Sequence, residues 1–344
     1  MDSKAVAVSL CCGAGGLDYG LNQAGFRFLV GVATDADALA TYQRNSIADS
    51  VYVEDVCNLT ASWFRRELGL ARGDLDLLVS GPPCQPFSKS RFWVRNKPKG
   101  FADTRSLVFS RLLSLARSLH PRAILLENVP MLGAAYNKHA LEQFCDGLCQ
   151  QRYTVWQTVL NASNFGVPQH RRRLFILAVR NLRPQEETTD LEQALRRYGR
   201  PAWTPRKVLH GGPRQRGDED LTIRSKWANL LQEIPPGENY LHLTKERGHP
   251  RPQFQWRSKY WNFLLKLHPD RPSWTIQSSP GPATGPFHWE NRRLSTFECQ
   301  LLQGFPRSFV FLGNRVKRQR QIGNAVPPPV GRAIGAYLLS EFFD

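Results

Sequence analysis

AVAVSLCCGAGGLDYGL, residues 5–21, sets a short β-branched run against a glycine-rich turn and then spaces Leu17 and Leu21 four apart. The apolar run has the length of a buried strand, and the four-residue spacing is that of one helix face. Glycines between them let the chain reverse sharply without a Cβ in the way. A strand, a tight turn and a helix in that order begin a parallel α/β sheet.

The same alternation continues outward to about Arg180. Strands are expected at 5–10, 26–33, 76–81, 123–128, 154–160 and 173–179, with helices at 17–24, 36–45, 60–69, 105–118 and 138–150. The fold class is therefore α/β, a doubly wound, mostly parallel sheet. After Val179 the texture changes. Residues 181–290 hold much of the proline, many tryptophans and scattered charge, which predicts a smaller irregular domain whose tryptophans mostly form its core. Helical order returns at Ser295-Thr-Phe-Glu298, a capping-box pattern, with Gly304 and Pro306 placed to end the helix. PPPVGRAIGAYLLSEFF (327–343) carries prolines where a first helical turn tolerates them and should pack back on the first domain. The expected boundaries are 1–180, 181–290 and 291–344.

A chain of 344 residues with 41% hydrophobic and 22% charged residues has the composition of a globular protein. No run approaches the roughly 20 apolar residues of a membrane span, so no membrane role is expected. MDSKAVAVSL lacks the basic region and apolar core of a secretory leader, so a cytoplasmic, nucleoid-associated location is expected. The seven cysteines form no CxxC pair and no spacing suited to zinc, which favours reduced thiols and no metal site. Forty-six basic against 29 acidic residues give a net charge of +17, a balance shared by nucleic-acid binders and by other basic proteins.

Three segments carry chemistry. Gly81-Pro-Pro-Cys84-Gln-Pro-Phe-Ser88 follows a strand directly, at the carboxyl end where parallel sheets build their sites. A lone cysteine is commonly a small buried hydrophobe. Two prolines before Cys84 stiffen the turn and present the thiol from a rigid loop, as a nucleophile requires. Glu127 ends the strand AILLEN on the same edge. A carboxyl there is ordinarily a solvated charge, but beside a nucleophilic thiol it can hydrogen-bond a ring nitrogen of a pyrimidine. In Gln169-His-Arg-Arg-Arg173, strand alternation would send Arg171 and Arg173 to one face, either as a basic edge or to bind phosphate and substrate.

Taken in order, SLCCGAGGLDYGL, GPPCQPFS, ENV, QHRRR, RRLSTFECQLLQGFP and QIGNAVPPPVGRAI resemble the DNA (cytosine-5)-methyltransferase family across residues 4–179 and roughly 270–343. The resemblance implies an S-adenosylmethionine-dependent methyltransferase fold with a target-recognition domain and DNA between. By position, Cys84 would add to carbon 6 of a cytosine swung out of the duplex. Glu127 would hold N3 and the exocyclic amino group, Arg171 would assist at the base and its phosphate, and Arg173 completes the catalytic set. The thiol of Cys84 should have a lowered pKa. The methyl donor would lie against Cys11, Gly13, Ala14, Gly15, Gly16 and Leu17, with Asp35, Asp55, Val56, Pro82, Asn324 and Val326 completing the pocket. Two positions depart from the family pattern: Cys11 stands where an aromatic ring is usual, and Ala33 where an acid usually meets the ribose, leaving Asp35 two residues on to reach it.

The compact length suits a monomeric prokaryotic modification enzyme acting on double-stranded DNA, with a cognate restriction endonuclease acting separately. An RNA methyltransferase on the same scaffold and a non-catalytic DNA-binding relative are the alternatives. Residues 200–290 should read the bases, with aromatic and basic side chains interleaved through 257–293. A glycine-turn oxidoreductase is disfavoured because Gly13, Gly15 and Gly16 do not have the GxGxxG spacing.

Overall fold

The computed structural model describes residues 4–83, 106–181, 190–210 and 219–343, so Cys84 lies outside the described residues. The chain divides into two compact units. The first comprises Met1–Asn161, Arg172–Gly199 and Pro328–Asp344, and the second Ala162–Arg171 and Arg200–Pro327.

In the first unit the chain runs β1 (Val6–Leu10), α1 (Gly16–Ala24), β2 (Arg27–Ala33), α2 (Ala36–Arg44), β3 (Ala48–Val53), α3 (Ala61–Leu68), β4 (Leu77–Ser80), α4 (Leu107–Leu119), β5 (Ala123–Asn128), α5 (Ala135–Cys149) and β6 (Tyr153–Asn161). β7 (Gln169–His170) belongs to the second unit, and the chain returns to the first at β8 (Arg172–Arg180). The seven-stranded sheet has the order β3-β2-β1-β4-β5-β8-β6. β1 pairs in parallel with β2 and β4, β2 with β3, and β4 with β5. β8 runs antiparallel between β5 and β6. The sheet is thus doubly wound and mostly parallel, and its order changes direction between β1 and β4, the place where such sheets take ligands.

β1, β4 and β5 are buried along nearly their whole length, because helices cover both faces of the sheet. On one face Val8, Leu78, Ile124 and Ile176 meet Phe109 and Leu112 of α4 and Phe144 of α5. On another part of the unit, α1 packs against α10 (Pro328–Leu338). A Cβ at Gly20 would lie 2.1 Å from the Pro328 carbonyl oxygen, and one at Gly331 2.4 Å from that of Leu17, so the two helices approach backbone to backbone. The expected return of the last helix to the first domain is observed.

β3 has no counterpart in the sequence reading. It is an edge strand, half-exposed, with Asp49 paired to Arg27 at 2.8 Å, so ADSVYV lacks the apolar run of its neighbours.

The second unit is irregular, as expected. Beyond α6 (Leu191–Leu195) of the first unit come α7 (Pro205–Leu209), β9 (Ser273–Trp274), α8 (Thr296–Leu302) and α9 (Arg315–Asn324). A core of Leu231, Ile234, Leu243, Leu264 and Phe287 is centred on Tyr240, Phe254 and Phe263, whose rings meet edge to face at 5.4–6.1 Å. At α8 the capping box forms in full, Ser295 and Glu298 each satisfying the other's backbone N–H, and Gly304 follows at φ +83.

The units do not follow the boundaries 1–180, 181–290 and 291–344. Residues 162–171 leave the first unit, and 291–327 stay with the second. Long-range bonds explain this. The Gln169 amide donates to Gln303 Oε1 at 2.7 Å and to the Leu302 carbonyl at 3.2 Å, and its Oε1 accepts from the Ile276 N–H at 3.0 Å. The tryptophans also depart from expectation. Trp203, Trp256, Trp261 and Trp274 are 42–65% exposed, while Trp227 packs against Phe254 and Phe263 at the margin of a core of phenylalanine, tyrosine and aliphatic residues.

Candidate active site

The first site is built at the carboxyl ends of β4 and β5. Their register pairs Ser80 with Leu126, which places Glu127 one step beyond the last paired residue of β4. Glu127 Oε1 lies 3.1 Å from Arg173 Nε on β8, with the two side chains only 12% and 16% exposed. The other carboxylate oxygen lies 3.9 Å from where a Cβ on Gly81 would stand. Next to it Asn128 is buried. Its amide donates to the Pro82 carbonyl at 3.1 Å, and its Oδ1 accepts from the Val129 N–H at 2.9 Å. Gly81 N–H donates to the Leu10 carbonyl at 3.3 Å. Glu127 is therefore set over a pinned Gly81-Pro82-Pro83 turn, the chain that leads into Cys84.

Asn128 was not singled out by sequence reasoning, nor was Gln169. The signal was a polar residue directly at the end of an apolar strand, which is costly to bury unless bonded.

Arg171 and Arg173 do not share a face. Alternation requires a continuous strand, whereas β7 ends at His170 and β8 begins at Arg172. Arg171, 1% exposed, turns into the second unit, where its guanidinium donates to the carbonyls of Gly323 at 2.8 Å and Ile276 at 3.4 Å. Of the two, Arg173 is the one that pairs with Glu127. A buried guanidinium bound to carbonyls ties chain segments together, and the shared face expected of Arg171 and Arg173 does not form.

At the same edge, the turn after β1 places Cys11 at φ +55, Gly13 at φ +55 and Gly15 at φ +83. The Cys11 carbonyl lies 3.5 Å from the Cβ position of Gly81, so this turn stands beside the root of the proline loop. No side chain caps α1, which leaves the N–H groups of its first turn for a ligand. Among the described residues a Cβ at Gly13 would meet nothing within 4 Å, whereas one at Gly15 would strike Tyr42 and Ile47 at 2.5 Å. The turn is closed underneath and open above. Ala14, Gly16 and Leu17 are buried in it, and Pro82 is buried in the proline loop.

Asp55 stands at the end of the β3 edge, accepting from the Cys57 N–H at 2.8 Å beside buried Val56. Asp35 caps α2 through Oδ1, which accepts from Asp37 at 3.1 Å and Ala38 at 3.2 Å. Ala33 ends β2 with no polar group. The open glycine turn, the uncapped helix and Asp55 fit an adenosyl cofactor. Asn324, the last residue of α9, and Val326, buried, belong to the second unit.

Burial pushes the Cys11 thiol up to about 12, against a Ser80 hydrogen bond that lowers it, with Asp55 and Cys57 adding to the rise. Cys12 is raised as well, by burial first and then by Asp18. Neither thiol is a thiolate at neutral pH, so neither competes as a nucleophile. Asp18, beneath the same turn and 1% exposed, is pushed up to about 7 by burial, partly offset by the Ser9 and Tyr42 hydroxyls.

The doubly wound sheet, the glycine turn after β1 and the Gly81-Pro82-Pro83 turn after β4 are the frame on which a cofactor-dependent methyltransferase can be built. The model of the C-5 cytosine-specific DNA methylase family matches residues 6–340, and the chain belongs to that family. It is 35% identical to the Type II methyltransferase M.SacI of Streptomyces achromogenes, over 99% of this chain and 94% of that protein. It is 31% identical to the Type II methyltransferase M.NaeI of Lentzea aerocolonigenes, over 95% and 73%. Among solved structures, the fold resembles a putative DNA modification methyltransferase encoded within an E. coli prophage. The TM-score is 0.70 at 20% identity, covering 99% of this chain and 100% of that one. It also resembles the S. pombe Dnmt2 methyltransferase, with a TM-score of 0.67 at 17% identity, covering 98% and 99%. The chain is a C-5 cytosine DNA methyltransferase. Among the described residues no helix is long and apolar enough to cross a membrane.

Proposed function

We propose that this chain methylates carbon 5 of a cytosine turned out of a specific duplex sequence, with Cys84 as the covalent nucleophile. The Glu127–Arg173 pair carries the reading. It sets a carboxyl group one register step past the end of β4, on the edge from which the Cys84 loop departs.

Carbon 5 of cytosine is a poor nucleophile. Addition of the Cys84 thiolate at carbon 6 turns the ring into an enamine and splits one hard step into two easier ones. Glu127 accepts from the exocyclic amino group and, once it has taken up a proton, donates to N3, offsetting the charge that the thiolate brings to the ring as it attacks. Arg173 orients that carboxyl group, and Asn128 holds the turn from which the thiol is presented. The Gly13–Leu17 turn, with Asp55 and Asp35, would hold S-adenosylmethionine, which would supply an electrophilic methyl group to carbon 5 and leave as the neutral thioether. Transfer of the carbon 5 proton to solvent then re-forms the C5–C6 double bond and expels Cys84 as its thiolate. Asn324 and Val326 complete the cofactor site, and the second unit reads the target sequence.

The relatives named as Type II methyltransferases support a role in modifying host DNA, with a cognate restriction endonuclease acting separately. The enzyme acts as a monomer on the nucleoid in the cytoplasm. Incubation with radiolabelled S-adenosylmethionine and duplex DNA should place alkali-stable label in cytosine. Label that persists in Cys84→Ser would sink the mechanism.

A further inference from the structure

Four tryptophans of the second unit lie at its surface, and two of them, Trp261 and Trp274, stand against each other at 5.6 Å, close to perpendicular. They are 42% and 45% exposed, and His170 lies 6.2 Å from Trp274. Indole surface left in water is unfavourable, so a paired, exposed set marks a place where something docks.

The two rings stand on fixed backbone. The Asn239 amide donates to the Trp261 carbonyl at 2.7 Å, and the core residue Tyr240 exchanges hydrogen bonds with the Lys259 backbone at 2.7 and 2.9 Å. Trp274 lies on β9, which pairs with β7 so that Trp274 stands opposite His170, and Thr275 Oγ1 donates to the His170 carbonyl at 2.9 Å. A surface held this way loses little conformational entropy on binding.

The chain segments that carry the two rings are basic. Arg257, Lys259 and Arg271 are exposed in the same segments, and Asp270 is engaged by Arg206 at 2.7 Å. Exposed rings with flanking cations match the chemistry of nucleic acid, which offers flat base faces beside phosphates. His170 directly precedes Arg171, so the platform is attached to the segment that leads into β8.

We propose that Trp261 and Trp274, backed by His170, form a stacking platform for an unpaired nucleobase of the bound DNA. The inference rests on the reading of the chain as a base-extruding methylase. It assigns the two indoles a contact with base faces, while Arg257, Lys259 and Arg271 meet phosphates.

The test compares binding of a mixed-sequence single strand with binding of an abasic strand of equal length and charge, by fluorescence anisotropy across a range of salt. The native protein should prefer the strand that carries bases. Trp261→Ala and Trp274→Ala should each reduce that preference roughly tenfold, with the salt dependence of binding unchanged, because stacking releases no counterions. Trp261→Leu keeps apolar bulk without an aromatic face and should behave like the alanine variant. Arg257→Gln with Lys259→Gln should weaken both strands alike and flatten the salt dependence. Thermal melting of each variant confirms that the unit is folded.

A native protein that binds both strands equally, or tryptophan variants that retain the full preference, would overturn the platform and assign the indoles to a protein partner. Base-dependent binding by a protein that transfers no methyl group would leave the platform standing and defeat the catalytic reading instead.

Discussion

The carboxyl edge of β4 and β5 and the aromatic face of the second unit present their working groups in opposite ways. At the edge, Glu127 and Arg173 are almost enclosed and Asn128 is buried, each fixed by a strand register and a specific bond. On the aromatic face, Trp261 and Trp274 are half-open to solvent and only their backbone is fixed. The difference follows from what each must do. A group that stabilises developing charge has to be aligned before the reaction and shielded from water. A surface that meets base faces needs apolar area and orientation, and tolerates sequence variation because every base has a flat face.

Breaking the edge should cost the most. Cys84→Ser is expected to lower the rate of methyl transfer by at least about 10³-fold. Duplex binding, measured by anisotropy, should be unchanged, since the thiol acts in the reaction rather than in affinity. Glu127→Gln should follow, with a loss of roughly 10²- to 10³-fold in single-turnover rate. It keeps the shape but leaves Arg173 without its carboxylate. Turnover within a few-fold of native would remove Glu127 from the reaction.

The second unit is sharpened by Gly323→Ala. A Cβ there would sit 2.3 Å from the Ser278 backbone nitrogen, and the Gly323 carbonyl holds Arg171. Overpacking against backbone should destabilise the protein by about 2–3 kcal/mol in urea unfolding. An unchanged midpoint would show that the α9 contact yields easily.

The smallest effect should come from Asp18→Asn under the glycine turn. Its carboxyl titrates at about 7 in the folded chain against 3.8 unfolded. The folded state therefore holds the proton more tightly, and the stabilisation is full below about pH 4 and lost as pH rises through 7. Removing the charge should stabilise the protein at pH 8 relative to pH 5 by about 2 kcal/mol, seen as a melting curve that flattens with pH. A native protein whose stability does not fall between those values would contradict the burial of Asp18 as the cause.

The first unit was legible because each of its buried strands is covered on both faces and so reads as an uninterrupted apolar run. Leu77–Ser80 and Ala123–Asn128 fall within or at the expected limits. β3 escaped because an edge strand with Asp49 and Ser50 need not be apolar. Of the site, Glu127 and the glycine turn stood at strand ends where local pattern suffices to find them. The separate fates of Arg171 and Arg173 did not, because they turn on one residue at which β7 and β8 part.

By itself, then, the sequence determined the α/β class, the capping box at Ser295 and, through six ordered motifs, the family. The first two depend on periodicity, turns and caps, whose energies are local. Only the tertiary structure decided that Ala162–Arg171 and residues 291–327 join the second unit, that Arg173 is the partner of Glu127, and that Trp261 and Trp274 face solvent. The first of these rests on contacts between residues more than a hundred positions apart, such as Gln169 with Gln303 and Arg171 with Gly323, and the second on strands brought together by the sheet. In a segment without periodicity, nothing local distinguishes a tryptophan that fills a core from one that stands on it.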